Sequence, residues 1–126
     1  MNWEWPEFDQ REFASKGNGE CLIDPVLMDM LRVVQQDCGK LTITSGYRDP
    51  VHNAKVGGAP MSLHKFGKAV DISLRGIERE QLLKSCERIG FTGFGFGQTF
   101  LHVDIGKARR WNYGPKSKEA WHGLAG

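Results

Sequence analysis

The sequence predicts an α+β domain, a small and mainly antiparallel sheet covered by two main helices. Two stretches repeat apolar residues at helical spacing, and several short segments alternate apolar and polar residues with a period of two. The two kinds are mixed without the regular strand–helix–strand repeat of a parallel sheet. In DPVLMDMLRVVQQDC, Asp24 is placed to cap a helix whose first position is Pro25. Leu27, Leu31, Val34 and Cys38 then recur at helical spacing, with Gly39 as the stop. LTITSGYR predicts a strand from Leu41 to Thr44 that ends in a Ser45-Gly46 turn. The second helix fits GIEREQLLKSCERIG, where Leu82, Cys86 and Ile89 share a face and Gly90 stands at the C-terminal cap. KAVDISL, TGFGFG and FLHVDIG read as short strands. GFGFG lacks the GxxxxGK[ST] pattern of a phosphate loop and no helix follows it, so it predicts a strand packed closely against something.

Strand alternation places the polar residues. Along FLHVDIG, Leu101, Val103 and Ile105 fall on one side and Phe100, His102 and Asp104 on the other. The aliphatic side must face the core, so His102 and Asp104 project together from the opposite face, roughly 6–7 Å apart. KAVDISL repeats the pattern, with Val70, Ile72 and Leu74 inward and Ala69, Asp71 and Ser73 outward. As neighbours in one sheet, the two strands would bring His102 and Asp71 to one ion. His64 would join them from the preceding loop, folded back with the freedom of Gly67. Two imidazoles and a carboxylate form a ligand set that one zinc ion accepts while keeping a position open for a reactive water. A hydrolase is the chemistry that this set suggests. Arg48, after a strand and a turn, is placed to grip a substrate carboxylate bidentately or to stabilise an oxyanion; pairing with Asp49 or another surface acid is the alternative.

Composition narrows the function classes. The chain has 126 residues, enough for one domain with a modest core. Its 17 Lys+Arg against 15 Asp+Glu are too balanced to expect nucleic acid as a partner. Cys21, Cys38 and Cys86 are odd in number and form no CxxC pair, which predicts reduced thiols rather than a disulfide framework or a cysteine zinc knuckle. No run approaches the roughly 18 apolar residues of a membrane span, and MNWEWPEFDQ lacks the features of a secretory signal, so synthesis without export signal is expected. The core is expected over about residues 8–111. The tail from 107 to 126 carries Lys107, Arg109, Arg110, Lys116 and Lys118 and is expected to be a solvated basic end, or one drawn weakly to anionic polymers or membrane surfaces. Trp111 and Tyr113 could add stacking there. VGGAP, Val56 to Pro60, reads as a rim over the site or a plain loop, His52 as a possible cleft residue, and His122 as a residue without supporting context.

SGYRDPVHNAKVGGAPMSLHKFGKAVDI, followed some thirty residues later by FLHVDIG, resembles the zinc D-alanyl-D-alanine carboxypeptidases and endopeptidases of peptidoglycan. That group is related to lysostaphin-type enzymes and the hedgehog signalling domain. The resemblance covers roughly Phe8 to Trp111 and rests on the order and spacing of SGYR, HN..VGGAP.S.H..G.A.D and HVD. It implies that His64, Asp71 and His102 hold zinc on a small antiparallel sheet, that Arg48 lies at the substrate site, and that the reaction is peptide hydrolysis. Ser62 is expected to bond the substrate main chain or to cap its own turn. In the family an acid commonly lies three positions before the last histidine ligand, where this chain has Thr99. Asp104 is therefore expected as the general base, with orientation of His102 or bonding to a neighbouring strand as its other role.

The expected activity is a zinc peptidase acting on peptidoglycan stem peptides or cross-links, of carboxypeptidase or endopeptidase type. A metal-retaining but non-catalytic module that binds the wall or a partner is the alternative. A monomer is expected. A compact chain without a signal looks most like the bacteriophage endolysins of the group, which reach the wall by lysis, through a holin-type pore or in a virion.

Overall fold

Slipping both central strands by one residue would exchange four buried aliphatic side chains for two carboxylates and an imidazole. Burying each large apolar side chain contributes about 1.5–3 kcal/mol. The computed structural model, which describes residues 3–124, has the register that avoids this exchange. Strand β2 (Ala69–Ser73) pairs antiparallel with β4 (Phe100–Asp104), so Val70 lies opposite Val103 and Ile72 opposite Leu101. All four are fully buried.

The sheet has five strands in the order β1-β2-β4-β3-β5, with β1 spanning Ile43–Ser45, β3 Gly93–Phe96 and β5 Arg109–Asn112. Every neighbouring pair is antiparallel except β3 and β5, which run parallel. Helices α2 (Pro25–Cys38) and α4 (Arg79–Ile89) contribute to the core beneath the sheet through Leu27, Leu31 and Val34, and through Leu82, Leu83 and Cys86. Asp24 caps α2 by accepting from the Val26 amide, and Gly90 ends α4 in the left-handed conformation (φ 111°). The short helices α1 (Gln10–Phe13), α3 (Pro50–Lys55) and α5 (Pro115–Ala120) are too brief to show a period in the sequence. Among the described residues no helix is long and apolar enough to cross a membrane.

Two expectations change. The first strand begins at Ile43 rather than Leu41, because the Leu41 amide is tied to the Gln35 side chain at the end of α2 (3.0 Å) and not to a strand partner. The basic residues of the tail are exposed as expected, but the segment that carries them is built into the fold. Residues 109–112 add a strand to β3, Arg109 pairs with Asp104 and Arg110 with Glu87, and the core continues to Trp121. Trp121 is 1% exposed and donates its indole N–H to the Gly97 carbonyl (2.7 Å), so α5 is fastened to the end of β3. Charge on the arginines hides a strand, because each guanidinium has a carboxylate or an aromatic face to lie against: Arg109 stacks on Trp111 and Arg110 on Phe94.

Candidate metal centre

The open face of the sheet is arranged in rows that cross the strands. Asp71 pairs with His102, His102 with Gly95, and Gly95 with Trp111, forming the middle row. The row on one side runs Ala69, Asp104, Gly93 and Arg109. Ser73 and Phe100 begin the row on the other side. The glycines of GFGFG therefore all face the site while Phe94 and Phe96 enter the core. Their missing side chains are required: a Cβ at Gly93 would meet Asp104 Oδ1 at 2.0 Å, and one at Gly95 would meet the Trp111 ring at 2.7 Å. With that space open, the Trp111 ring stands 5.0 Å from the His102 ring, and the Tyr113 hydroxyl lies over Gly95.

His64 arrives from a 3-10 turn, Leu63–Phe66, that ends at Gly67 in the left-handed conformation (φ 68°). Here glycine is needed twice over, since a Cβ would also lie 2.3 Å from the Leu22 carbonyl oxygen. The turn starts at Ser62, whose Oγ accepts from the His64 amide (3.3 Å), so the structure gives Ser62 the capping role. The Arg48 amide donates to the His64 carbonyl (3.0 Å), tying SGYR to this turn.

His64 Nε2, His102 Nδ1 and Asp71 Oδ1 converge. His64 Nε2 is 3.2 Å from His102 Nδ1 and 3.3 Å from Asp71 Oδ1, and His102 Nδ1 is 3.0 Å from the same oxygen. All three residues are buried. The outer nitrogens settle what these atoms are. His64 Nδ1 lies 2.8 Å from the Gly46 carbonyl oxygen, which can only accept, so the ring proton is on Nδ1. His102 Nε2 lies 2.7 Å from Asp104 Oδ2 and likewise carries its proton there. Each inner nitrogen then presents a lone pair to the other and to a carboxylate oxygen. Three acceptors this close repel one another unless a metal ion or a proton lies among them. A tetrahedral ion with bonds of about 2.0–2.1 Å separates neighbouring donors by about 3.3–3.4 Å, so the donor set fits zinc. When protons occupy that position instead, burial opposes the charge on Asp71, but bonds from His102 and then His64 outweigh it and hold the carboxyl well below its usual range. Burial likewise pushes His102 down, and its bonds to Asp104 and Asp71 raise it more.

Asp104 does not have the surroundings of a general base. It is fully buried, both its oxygens face the Arg109 guanidinium (2.9 and 2.8 Å), and Oδ1 also accepts from the Gly106 amide (3.1 Å). Burial disfavours its charge, yet the bonds from His102 and Arg109 bring its pKa down to about 2. It contacts the outer nitrogen of His102, away from the converging donors. The expectation of Asp104 as proton carrier therefore gives way to a positioning role: it fixes the ring and its tautomer. Thr99 is exposed and its carbonyl accepts from Leu74 N (3.0 Å).

Arg48 is brought to the cluster. Its guanidinium lies 3.7 Å from Asp71 Oδ2, with Nε donating to Ser45 Oγ (3.3 Å) and Nη1 to Asn53 Oδ1 (3.4 Å). Asp49 is not its partner, because that carboxylate caps α3 through the His52 amide (2.9 Å) and accepts from the Ser15 hydroxyl (2.5 Å). Asn53 is a residue that sequence reasoning passed over. It is buried, donates to the Ala59 carbonyl (2.9 Å) and supports Arg48; its only signal was its place in the HN..VGGAP pattern. VGGAP is accordingly held to α3 rather than loose, since a Cβ at Gly58 would collide with Asn53 Oδ1 at 2.1 Å. His52 lies against Gly17 and His122 against the cavity beneath α5, both outside the cluster.

Comparison with known proteins agrees with this geometry. The sequence profile described as Peptidase M15 matches residues 6–105. Over 99 residues the chain is 33% identical to the peptidoglycan L,D-endopeptidase MepK of Escherichia coli strain K12, an alignment covering 71% of this chain and 54% of that protein. It is 31% identical over 100 residues to a probable peptidoglycan L,D-endopeptidase MepK of Haemophilus influenzae, with the same shares covered. The chain thus spans about half the length of the curated relatives it matches.

Proposed function

The chain belongs to the Peptidase M15 family, and on that premise we propose that it is a zinc-dependent endopeptidase that cuts peptide bonds of peptidoglycan. The observation that carries the reading is the convergence of three lone-pair atoms from His64, Asp71 and His102 at tetrahedral-edge distances. Two of them are locked in that tautomer by the Gly46 carbonyl and Asp104. The L,D-endopeptidase relatives favour an internal bond over trimming of a terminal residue.

His64, Asp71 and His102 would hold the zinc ion, which supplies a Lewis acid and acidifies a bound water. The chain's own residues do the rest. Arg48 supplies a cation beside the cluster, placed for the oxygen that becomes negative as the carbonyl is attacked. Ser45 and Asn53 hold that guanidinium in place, so little reorganisation is needed at the moment of reaction. Trp111 and Tyr113 form an aromatic wall on the same face that can exclude water from one side of the peptide. Arg109 and Asp104 keep His102 from rotating.

A non-catalytic, metal-retaining wall-binding module is the second reading. It draws on one observation: Asp104 is fully engaged and Thr99 stands where an acid was expected. One experiment separates the two. Purified peptidoglycan is digested with zinc-loaded protein and the fragments are analysed by mass, while bound zinc is measured on the same preparation. New peptide ends that vanish in chelator support the peptidase; one zinc per chain with intact peptidoglycan supports the module. Cleavage by metal-free protein would sink the zinc reading.

A further inference from the structure

Beside the ligand cluster, at the end of the sheet, lies a cavity of about 480 Å³. Thr44, Ser73, Arg75, Arg79, Thr99 and Phe100 are among its lining residues, and no carboxylate lines it among the described residues. Ser73 and Phe100 are register partners on the same face as Asp71 and His102, one pair further along the strands. The cavity therefore begins about 6–7 Å from the cluster, two residues' rise of an extended chain. A substrate peptide with its scissile bond at His64, Asp71 and His102 would lay a group one or two residues away into it.

The chemistry of the lining is cationic and hydroxylic. Arg79, at the start of α4, is anchored: Nη1 donates to the Ala120 carbonyl (2.9 Å) and the guanidinium stacks over Trp121 at 5.3 Å. Arg75 is exposed and has no carboxylate partner among the described residues. Its backbone is nonetheless held, because its amide donates to Ser73 Oγ (3.2 Å) and the preceding Leu74 amide to the Thr99 carbonyl (3.0 Å). Arg48 and Arg75 thus differ. Arg48 is committed to Asp71, Ser45 and Asn53, while Arg75 has no carboxylate partner among the described residues and shares the cavity lining with Ser73 and Thr99. A guanidinium with neighbouring hydroxyls matches a planar carboxylate.

We propose that this cavity is a specificity subsite that takes a free carboxylate of the substrate, one or two residues from the scissile bond, with Arg75 as its principal cation. The proposal deepens the peptidase reading and rests on it for what the carboxylate belongs to. Pairs of synthetic peptides, identical except for a carboxylate or a primary amide at the tested position, give the measurement. The zinc-loaded protein should prefer the carboxylate peptide by about tenfold or more in kcat/KM, mainly through KM. Arg75→Ala should bring that ratio close to one, Arg75→Lys should keep part of it, and Lys84→Ala, on the exposed side of α4, should keep all of it. Cleavage-resistant N-methyl analogues of the same pair, titrated calorimetrically, should show the same dependence in binding. A ratio that is unchanged in Arg75→Ala overturns the subsite. If neither peptide is cut while the analogues still bind with a preference that Arg75→Ala removes, the subsite stands and the peptidase reading fails.

Discussion

The two faces of β2 and β4 are built from alternating residues of the same ten positions, yet they are held together by opposite means. On the core face, Val70, Ile72, Leu101 and Val103 are fully buried among apolar neighbours and gain stability from area removed from water. On the open face, Asp71, His102 and Asp104 are almost as buried, at 9%, 5% and 0% exposure, but they are held by polar, directional contacts. A buried charge costs stability unless it is paired, so the open face is organised for chemistry rather than for stability. The Arg109 and Asp104 pair and the Gly46 carbonyl serve that end by presenting two lone pairs toward one point.

Mutations that exchange the properties of the faces test the contrast. His102→Ala should remove bound zinc and all activity while leaving the cooperative unfolding transition in place; a variant that keeps one zinc per chain would break the assignment of the open face. Leu101→Ala, its neighbour on the core face, should do the reverse and cost about 2–5 kcal/mol in denaturant unfolding with zinc retained. Arg48→Ala should lower kcat by about 10²–10³, with zinc content unchanged. An unaltered kcat/KM in that variant would place the oxyanion partner elsewhere. The smallest effect sharpens the comparison most. Asp104→Asn should weaken zinc affinity by about 10–100-fold, as expected of a group that orients a ligand. If turnover collapses at saturating zinc while affinity is unchanged, Asp104 is the proton carrier after all.

The helices and the two central strands were legible because their signals are local. Asp24 and Pro25 open α2, Gly90 closes α4, and alternation along KAVDISL and FLHVDIG assigns each side chain to a face. The same alternation put Asp71 and His102 on one face, and Gly67 gave His64 a way to return. Only the resemblance joined His64 to the other two. What stayed hidden depends on partners distant in sequence or on charge that masks a strand. RRWN reads as a solvated basic run, and becomes a strand only because Gly93, Gly95 and the core-facing Phe94 and Phe96 offer it a parallel edge. Asp104 shares a face with His102 in any reading, but which of its neighbours claims its oxygens is decided by Arg109.

The sequence by itself therefore determined periodicity, caps and the side of the sheet on which each polar residue falls, since these follow from backbone geometry over a few residues. Tertiary structure alone decided the rest: the 3.0–3.3 Å convergence of three donors, the tautomer of each imidazole, the engagement of Asp104 and the placing of Arg75 in the cavity lining. Distances between strands and turns are set by register and close packing, and a difference of one ångström there separates a ligand from a neighbour.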